Sequence, residues 1–178
     1  MSHIATQQRE MPFAHIEKIV VNVGVGRLSQ QQNFEEKILP QIKRDIALLS
    51  GQEPQVRRAK QAVAGFKIRQ GHIVGVRATL RSRKMSDFLR RLIAIVLPRV
   101  RDFRGIPLSA VDHGGALHIG LGEQMVFPEV NPEQSPISFS LQVSVVPTTR
   151  NREEALHLYK RLGVPLRGFG GKKRAENA

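Results

Sequence analysis

The sequence predicts an α+β fold: a single domain with a mainly antiparallel sheet, helices packed on one face, and the other face left open. Three observations predict it. Several short segments alternate apolar and polar residues with period two, which marks strands that have one packed side and one free side. Three longer segments carry apolar residues at helical spacing, enough to cover one side of such a sheet. The chain has 178 residues, no internal repeat and no linker between its periodic segments, so it has one core.

Residues 1–12 are polar and read as a flexible N-terminal tail. The domain occupies residues 13–167, and residues 168–178 form a flexible basic C-terminal tail. Within the domain, residues 15–25 are the first strand, with Ile19, Val21, Val23 and Val25 on one face and Lys18, Val20, Asn22 and Gly24 on the other. A turn follows, in which Ser29 and Gln32 have capping-box spacing. Phe34, Ile38, Ile42, Ile46 and Leu49 then recur as a helix. Pro40 either kinks it or opens a second helix, and Gly51 closes it. Residues 56–63 look extended, and 64–72 form a flexible loop with glycines near both ends. Residues 73–81 are the cleanest strand, setting Val74, Val76, Ala78 and Leu80 against Arg77, Thr79 and Arg81. The next helix buries Met85, Phe88, Leu89, Leu92, Ile93, Val96 and Leu97, with Pro98 weakening its end. A short strand is expected at 116–121 and an irregular stretch at 124–136, which holds three prolines. Residues 137–146 alternate again, Ile137, Phe139, Leu141, Val143 and Val145 against Ser138, Ser140, Gln142 and Ser144. Asn151 and Glu154 mark an N-cap pair. Ala155, Leu158, Tyr159 and Leu162 form the stripe of the last helix, which Gly163 and Pro165 end.

Charge is spread unevenly. The formal net charge is +13, and residues 55–105 alone carry fourteen Lys and Arg against Asp87 and Asp102, a net +12. Such a stretch predicts a positive surface for a polyanion, of which nucleic acid is the commonest in a cell. The open side of the sheet, with Asn22, Arg77, Thr79, Arg81 and the Ser/Gln row, reads as a platform for RNA. One Tyr, no Trp and Phe at core-like positions favour recognition of folded RNA by backbone and shape over base stacking. The absence of Cys excludes disulfides, thiolate catalysis and Cys-based zinc sites. No run approaches the roughly 20 apolar residues that span a bilayer, so no membrane partner is expected. The polar N-terminus, without an apolar signal region, points to an intracellular protein.

The motifs that invite enzymatic readings are weak. Gly24-Val25-Gly26 follows a strand, and Asp45 lies about twenty residues on, as in a dinucleotide site. Ser29 stands where the third glycine belongs, and the next extended stretch carries Arg57, Arg58 and Lys60 instead of a buried apolar strand. These glycines read instead as a tight turn or a close approach of backbone to a partner. The six histidines (His3, His15, His72, His113, His118, His157) lack metal-ligand spacing, and only His72, in the basic loop, is placed to meet RNA. No Ser/His/Asp set has motif context, Glu123 and Glu129 have no substrate context, and Asp102 reads as an ion-pair partner for Arg101 and Arg104. No catalytic residue, metal site or cofactor is expected.

Longer blocks are more specific. KIVVNVGVG (18–26), SGQEP (50–54), AVAGFKIRQGHIVGVRATLR (62–81), FLRRLIAIVLPRVRDFRGI (88–106), EQMVFPEV (123–130), Thr148-Thr149 and Glu153-Glu154-Ala155 occur in order. Together they resemble the bacterial-type large-subunit ribosomal proteins that bind 5S rRNA, the L-five family. The resemblance covers residues 15–166 and implies a structural, non-enzymatic component of the large ribosomal subunit, on a cytoplasmic or organellar ribosome. It implies a seat on 5S rRNA in the central protuberance, beside another 5S-binding large-subunit protein. It also implies contacts with peptidyl-site tRNA and with a small-subunit head protein, an intersubunit bridge. Carried over by matching block, it assigns rRNA binding to Asn22, Arg58, Lys60, Arg77, Thr79 and Arg81. It assigns tRNA contact to the loop residues Gly65, Phe66, Lys67, Arg69, Gln70, Gly71 and His72. The chain departs from the family pattern at VDHGGA (111–116), where an FDGRGN-like turn is usual, and at residues 137–146, which lack a GMDI-like opening. Pro40 interrupts the first helix, and the tail after Leu166 is extra.

Overall fold

Period-two segments can bury their apolar side only by pairing, and here they pair into one antiparallel sheet of five strands. The structure, a computed structural model, describes residues 12–63, 65 and 68–168. Both expected tails therefore lie outside the described residues, apart from Pro12 and Gly168. In chain order the elements are β1 (Ile16–Gly24), α1 (Leu39–Ser50), β2 (Gln55–Arg58), β3 (Ile73–Leu80), α2 (Ser82–Arg91), a single turn α3 (Leu97–Arg99), β4 (Ile106–Pro107), β5 (Leu117–Leu121), β6 (Leu141–Pro147), α4 (Arg152–Arg161) and β7 (Leu166–Arg167). The sheet order is β2-β3-β1-β6-β5, while β4 and β7 form a separate parallel pair. Because β1 is antiparallel to both of its neighbours, the Gly24/Gly26 turn is not part of a Rossmann half. Among the described residues no helix is long and apolar enough to cross a membrane.

The helices cover one face. Ile19, Val21 and Val23 of β1, Val76, Ala78 and Leu80 of β3, and Val143 and Val145 of β6 are all buried. So are Ile42, Ile46 and Leu49 of α1 and Met85, Phe88 and Leu89 of α2. Each of these Val, Ile, Leu, Met and Phe side chains contributes about 1.5–3 kcal/mol by leaving water. Phe88 also stacks on Phe127, ring centroids 6.0 Å apart.

Two prolines sit in helices through one shared device. A π turn, Phe34–Ile38, runs straight into α1, and the Leu39 N–H reaches back five residues to Phe34 O. A second π turn, Leu92–Val96, joins α2 to α3, and the Leu97 N–H reaches back to Leu92 O. Pro40 and Pro98 follow directly. The wider turn makes room where a proline removes one hydrogen bond and crowds a carbonyl.

Some sequence expectations change. Ser29 does not cap a helix: its hydroxyl donates to Gly26 O beside a short 3₁₀ turn, Leu28–Gln30. Asn151 does cap α4, accepting from Glu153 N, but Glu154 takes a hydrogen bond from Thr149. Asp102 has a left-handed backbone (φ 52°) and forms no ion pair among the described residues. The strand expected over 137–146 begins only at Leu141. Residues before it keep the in-out alternation but pair with side chains. Buried Gln124 donates to Ile137 O at 2.8 Å and accepts from Phe139 N at 2.9 Å, as a neighbouring strand would.

Tyr159 pins α4 to the sheet. Its fully buried hydroxyl donates to Gly115 O at 2.7 Å, with Val145 O at 3.1 Å as a second acceptor. Burial pushes this hydroxyl well above its ordinary value. Stability from it is whole below the unfolded tyrosine value of about 10 and is lost as pH rises above that toward the folded value. Tyr159→Phe is expected to cost about 1–3 kcal/mol in urea unfolding at pH 7 by leaving these carbonyls unpaired, and to flatten the alkaline loss of stability. An unchanged midpoint would show that the hydroxyl is not needed there.

Candidate nucleic-acid interface

The side chains that point away from the helices are ordered by strand register. One row crosses the sheet as Gln55, Arg77, Asn22, Gln142 and Gly120. A second runs Thr79, Val20, Ser144 and His118, and a third Arg57, Gly75 and Gly24. Side chains directly opposite each other lie about 4.5–5.5 Å apart, so each row is one continuous strip. Gly75 is tightly packed in the third strip: a Cβ there would come within 3.2 Å of Val23 O.

Of the expected rRNA-binding residues, the structure brings Asn22, Arg77 and Thr79 together on this face. Arg77 is half-buried, and its Nε has no hydrogen-bond partner among the described residues. Arg58 lies at a register shift at the end of β2 and donates to Gly71 O at 3.0 Å, bracing the base of the β2–β3 loop; Lys60 is exposed just beyond it. Arg81 lies past the end of β3, donating to Glu17 O and pairing with the Glu17 carboxylate at 3.6 Å. The Glu17 carboxyl is held below its ordinary value by Lys18 first and by Arg81 as well.

The expected tRNA-contact loop is a continuation of the β2–β3 hairpin. Ala59 N bonds His72 O and Gly71 N bonds Ala59 O, and farther out Val63 and Ile68 exchange both backbone bonds. Gly65, Arg69, Gln70, Gly71 and His72 are exposed, whereas Phe66 and Lys67 lie outside the described residues. Gly71 has φ +85°, a conformation that favours glycine.

The basic segment does not deliver all its charge to this face. Arg57 and Arg77 belong to it, with Arg58 and Lys60 at its rim. Arg83, Lys84 and Arg90 lie on the outer side of α2 and Arg99 on that of α3, in the opposite layer. Arg91 is a part-buried strut, bonded to the Glu129 carboxylate and to Leu49 O. Residues 55–105 contribute to both layers, so a charge count along the chain overstates the patch.

One cluster was not foreseen. His118 Nδ1 lies 2.9 Å from Ser144 Oγ, and its Nε2 lies 3.4 Å from Asp112 Oδ2. An ionised carboxylate only accepts, so Nε2 is the donor toward Asp112, and the role of Nδ1 toward the Ser144 hydroxyl follows from the form of the ring. Burial opposes ionisation of Asp112, but hydrogen bonds from Ala116 N–H, His118 and Gly114 N–H outweigh it and hold the carboxyl below its ordinary value. This is not a hydrolase site. Ser144 sits in mid-strand, paired with Val20 on one side and His118 on the other, so no free N–H pair stands ready for an oxyanion. The alternation of residues 116–121 held the clue, since it puts His118 and Gly120 opposite Leu117, Ile119 and Leu121.

Comparison with known proteins gives the family. Residues 10–69 match the family model described as ribosomal protein L5, and residues 73–166 match the model for the C-terminus of the same ribosomal family. The chain belongs to the ribosomal protein L5 family. Its relatives in that family include the large ribosomal subunit protein uL5 of Rubrobacter xylanophilus, 45% identical over 152 residues, covering 85% of this chain and 82% of that one. The uL5 proteins of Chloroflexus aggregans (45% identical; 88% and 85% covered) and Syntrophomonas wolfei (42%; 88% and 86%) are similar to it as well. The two matched segments adjoin at residues 70–72, inside the β2–β3 loop. The first supplies β1 and β2 and the second β3, β5 and β6, so both build one sheet.

Proposed function

We propose that this chain binds 5S rRNA across the open face of its sheet and contacts peptidyl-site tRNA through the β2–β3 loop. The same reading places it in the central protuberance, beside another 5S-binding protein and against a head protein of the small subunit. Membership of the L5 family makes the chain a structural component of the large ribosomal subunit, on the ribosome in the cytoplasm, and not an enzyme. The observation that carries the 5S reading is the cross-strand strip in which Arg77 and Asn22 lie side by side, with Arg57 on the neighbouring strip.

The mechanism is docking. Arg57 and Arg77, with Arg58, Lys60, Arg69 and Arg81 around them, release counterions as they meet phosphates, and the fixed register of the rows sets the orientation. Six such contacts predict a loss of about a thousandfold in affinity between roughly 50 and 200 mM salt. The purified protein is expected to bind 5S rRNA more tightly than a tRNA of comparable length at each salt concentration tested. Equal competition by the tRNA would overturn the reading.

A further inference from the structure

The open face is electrostatically divided. Its β2–β3 half carries Arg57 and Arg77. Its β6–β5 half holds a depression of about 580 Å³, whose lining includes Asn22, Gly24, His118, Gly120, Gly122 and Gln142 and no Lys or Arg. A carboxylate stands at its edge, since Asp112 bonds His118. A phosphate finds no Lys or Arg among these lining residues to neutralise it. A neutral planar ligand with donors and acceptors along its edge finds partners of both kinds there.

Three properties match that ligand. The carboxamides of Asn22 and Gln142 each offer a donor and an acceptor, opposite each other on paired strands. The imidazole of His118 is held by Ser144 at 2.9 Å, Asp112 at 3.4 Å and Gln142 at 3.5 Å, so an aromatic ring is fixed beside the depression before any ligand arrives. A Cβ added at Gly24, Gly120 or Gly122 would meet nothing within 4 Å, so the strands here present bare peptide to open space.

We propose that this depression accepts one unstacked nucleobase of the RNA whose phosphates are seated by the neighbouring arginines. Recognition is then split across the sheet: the β2–β3 half reads charge and position, and the β6–β5 half reads a base edge. The proposal rests on the 5S rRNA reading above and adds a base-specific contact to it.

Salt dependence separates the two halves. Gly120 has ordinary strand geometry, so Gly120→Val fills the depression without backbone strain. Gln142→Leu removes an exposed carboxamide and leaves the core untouched. Each variant is expected to bind 5S rRNA about tenfold more weakly at ~0.1 M salt, the scale of one base contact, with the slope of log affinity against log salt unchanged. In chemical probing, one unpaired base shielded by the wild-type protein is expected to react again in the Gly120→Val complex. Affinity within twofold of wild type for both variants would overturn the proposal, and so would a loss accompanied by a shallower slope, which would make the depression a phosphate seat. Unfolding midpoints identify a variant that fails by misfolding, and the other variant then decides. If wild-type protein does not distinguish 5S rRNA from tRNA, the underlying reading fails. If it does and both variants bind normally, only the base pocket fails.

Discussion

Replacing Arg57 and Arg77 together by alanine is expected to weaken 5S rRNA binding by on the order of 100-fold at ~0.1 M salt and to lower the salt slope by nearly two. The reason is register. Gln55 faces Arg77 and Arg57 faces Gly75, so the two guanidinium groups rise from adjacent strands on the side that, among the described residues, no helix covers. Both rise from backbone already fixed in a sheet whose opposite face is buried, so only side-chain ordering is left to lose on binding. The matched control is Arg83→Ala with Arg99→Ala, which removes the same charge from the helical layer. That control should leave the slope near wild type. Salt titrations by fluorescence anisotropy would measure both pairs. Equal slopes for the two double variants would show that only net charge matters and that the sheet face is no interface.

Gln124→Leu is expected to destabilise the fold by about 2–4 kcal/mol, measured by urea unfolding. Leucine fills a similar volume, so the cost is polar. Phe139 N loses its acceptor and Ile137 O loses one of two donors, the other being Gln41 Nε2 at 2.9 Å. Gln124 is fully buried, so water does not readily replace it. The segment it holds leads directly into β6, the strand that carries Gln142 and Ser144 to the open face. Gln142→Leu, an exposed change of the same chemistry, should shift stability by no more than about 0.5 kcal/mol. A loss below about 1 kcal/mol for Gln124→Leu would mean that residues 137–139 find other partners.

Element identity was largely legible in the sequence because it rests on local periodicity. The inward sets Ile19/Val21/Val23, Val76/Ala78/Leu80 and Val143/Val145 are buried as their alternation predicts, and so are the α1 and α2 stripes. Misreadings fell where a side chain stands in for backbone. The alternation of residues 137–140 is real in burial, but the strand stops at Leu141 because Gln124 supplies the hydrogen bonds. Ser29 had the spacing of a cap yet spends its hydroxyl on Gly26 O. None of these partners is fixed by spacing along the chain.

By itself the sequence determined which residues are apolar inward and polar outward, that one side of a sheet stays uncovered, and to which family the blocks belong. Only the tertiary structure decided which polar residues become neighbours. It set Asn22 between Arg77 and Gln142, joined His118 to Ser144 and Asp112 across 26 and 6 residues of chain, and sent much of the basic segment's charge to the helical layer. The physical reason is that burial periodicity is a property of each segment alone. Strand order and register arise from pairing between segments far apart in sequence, and a shift of one residue would exchange the two faces.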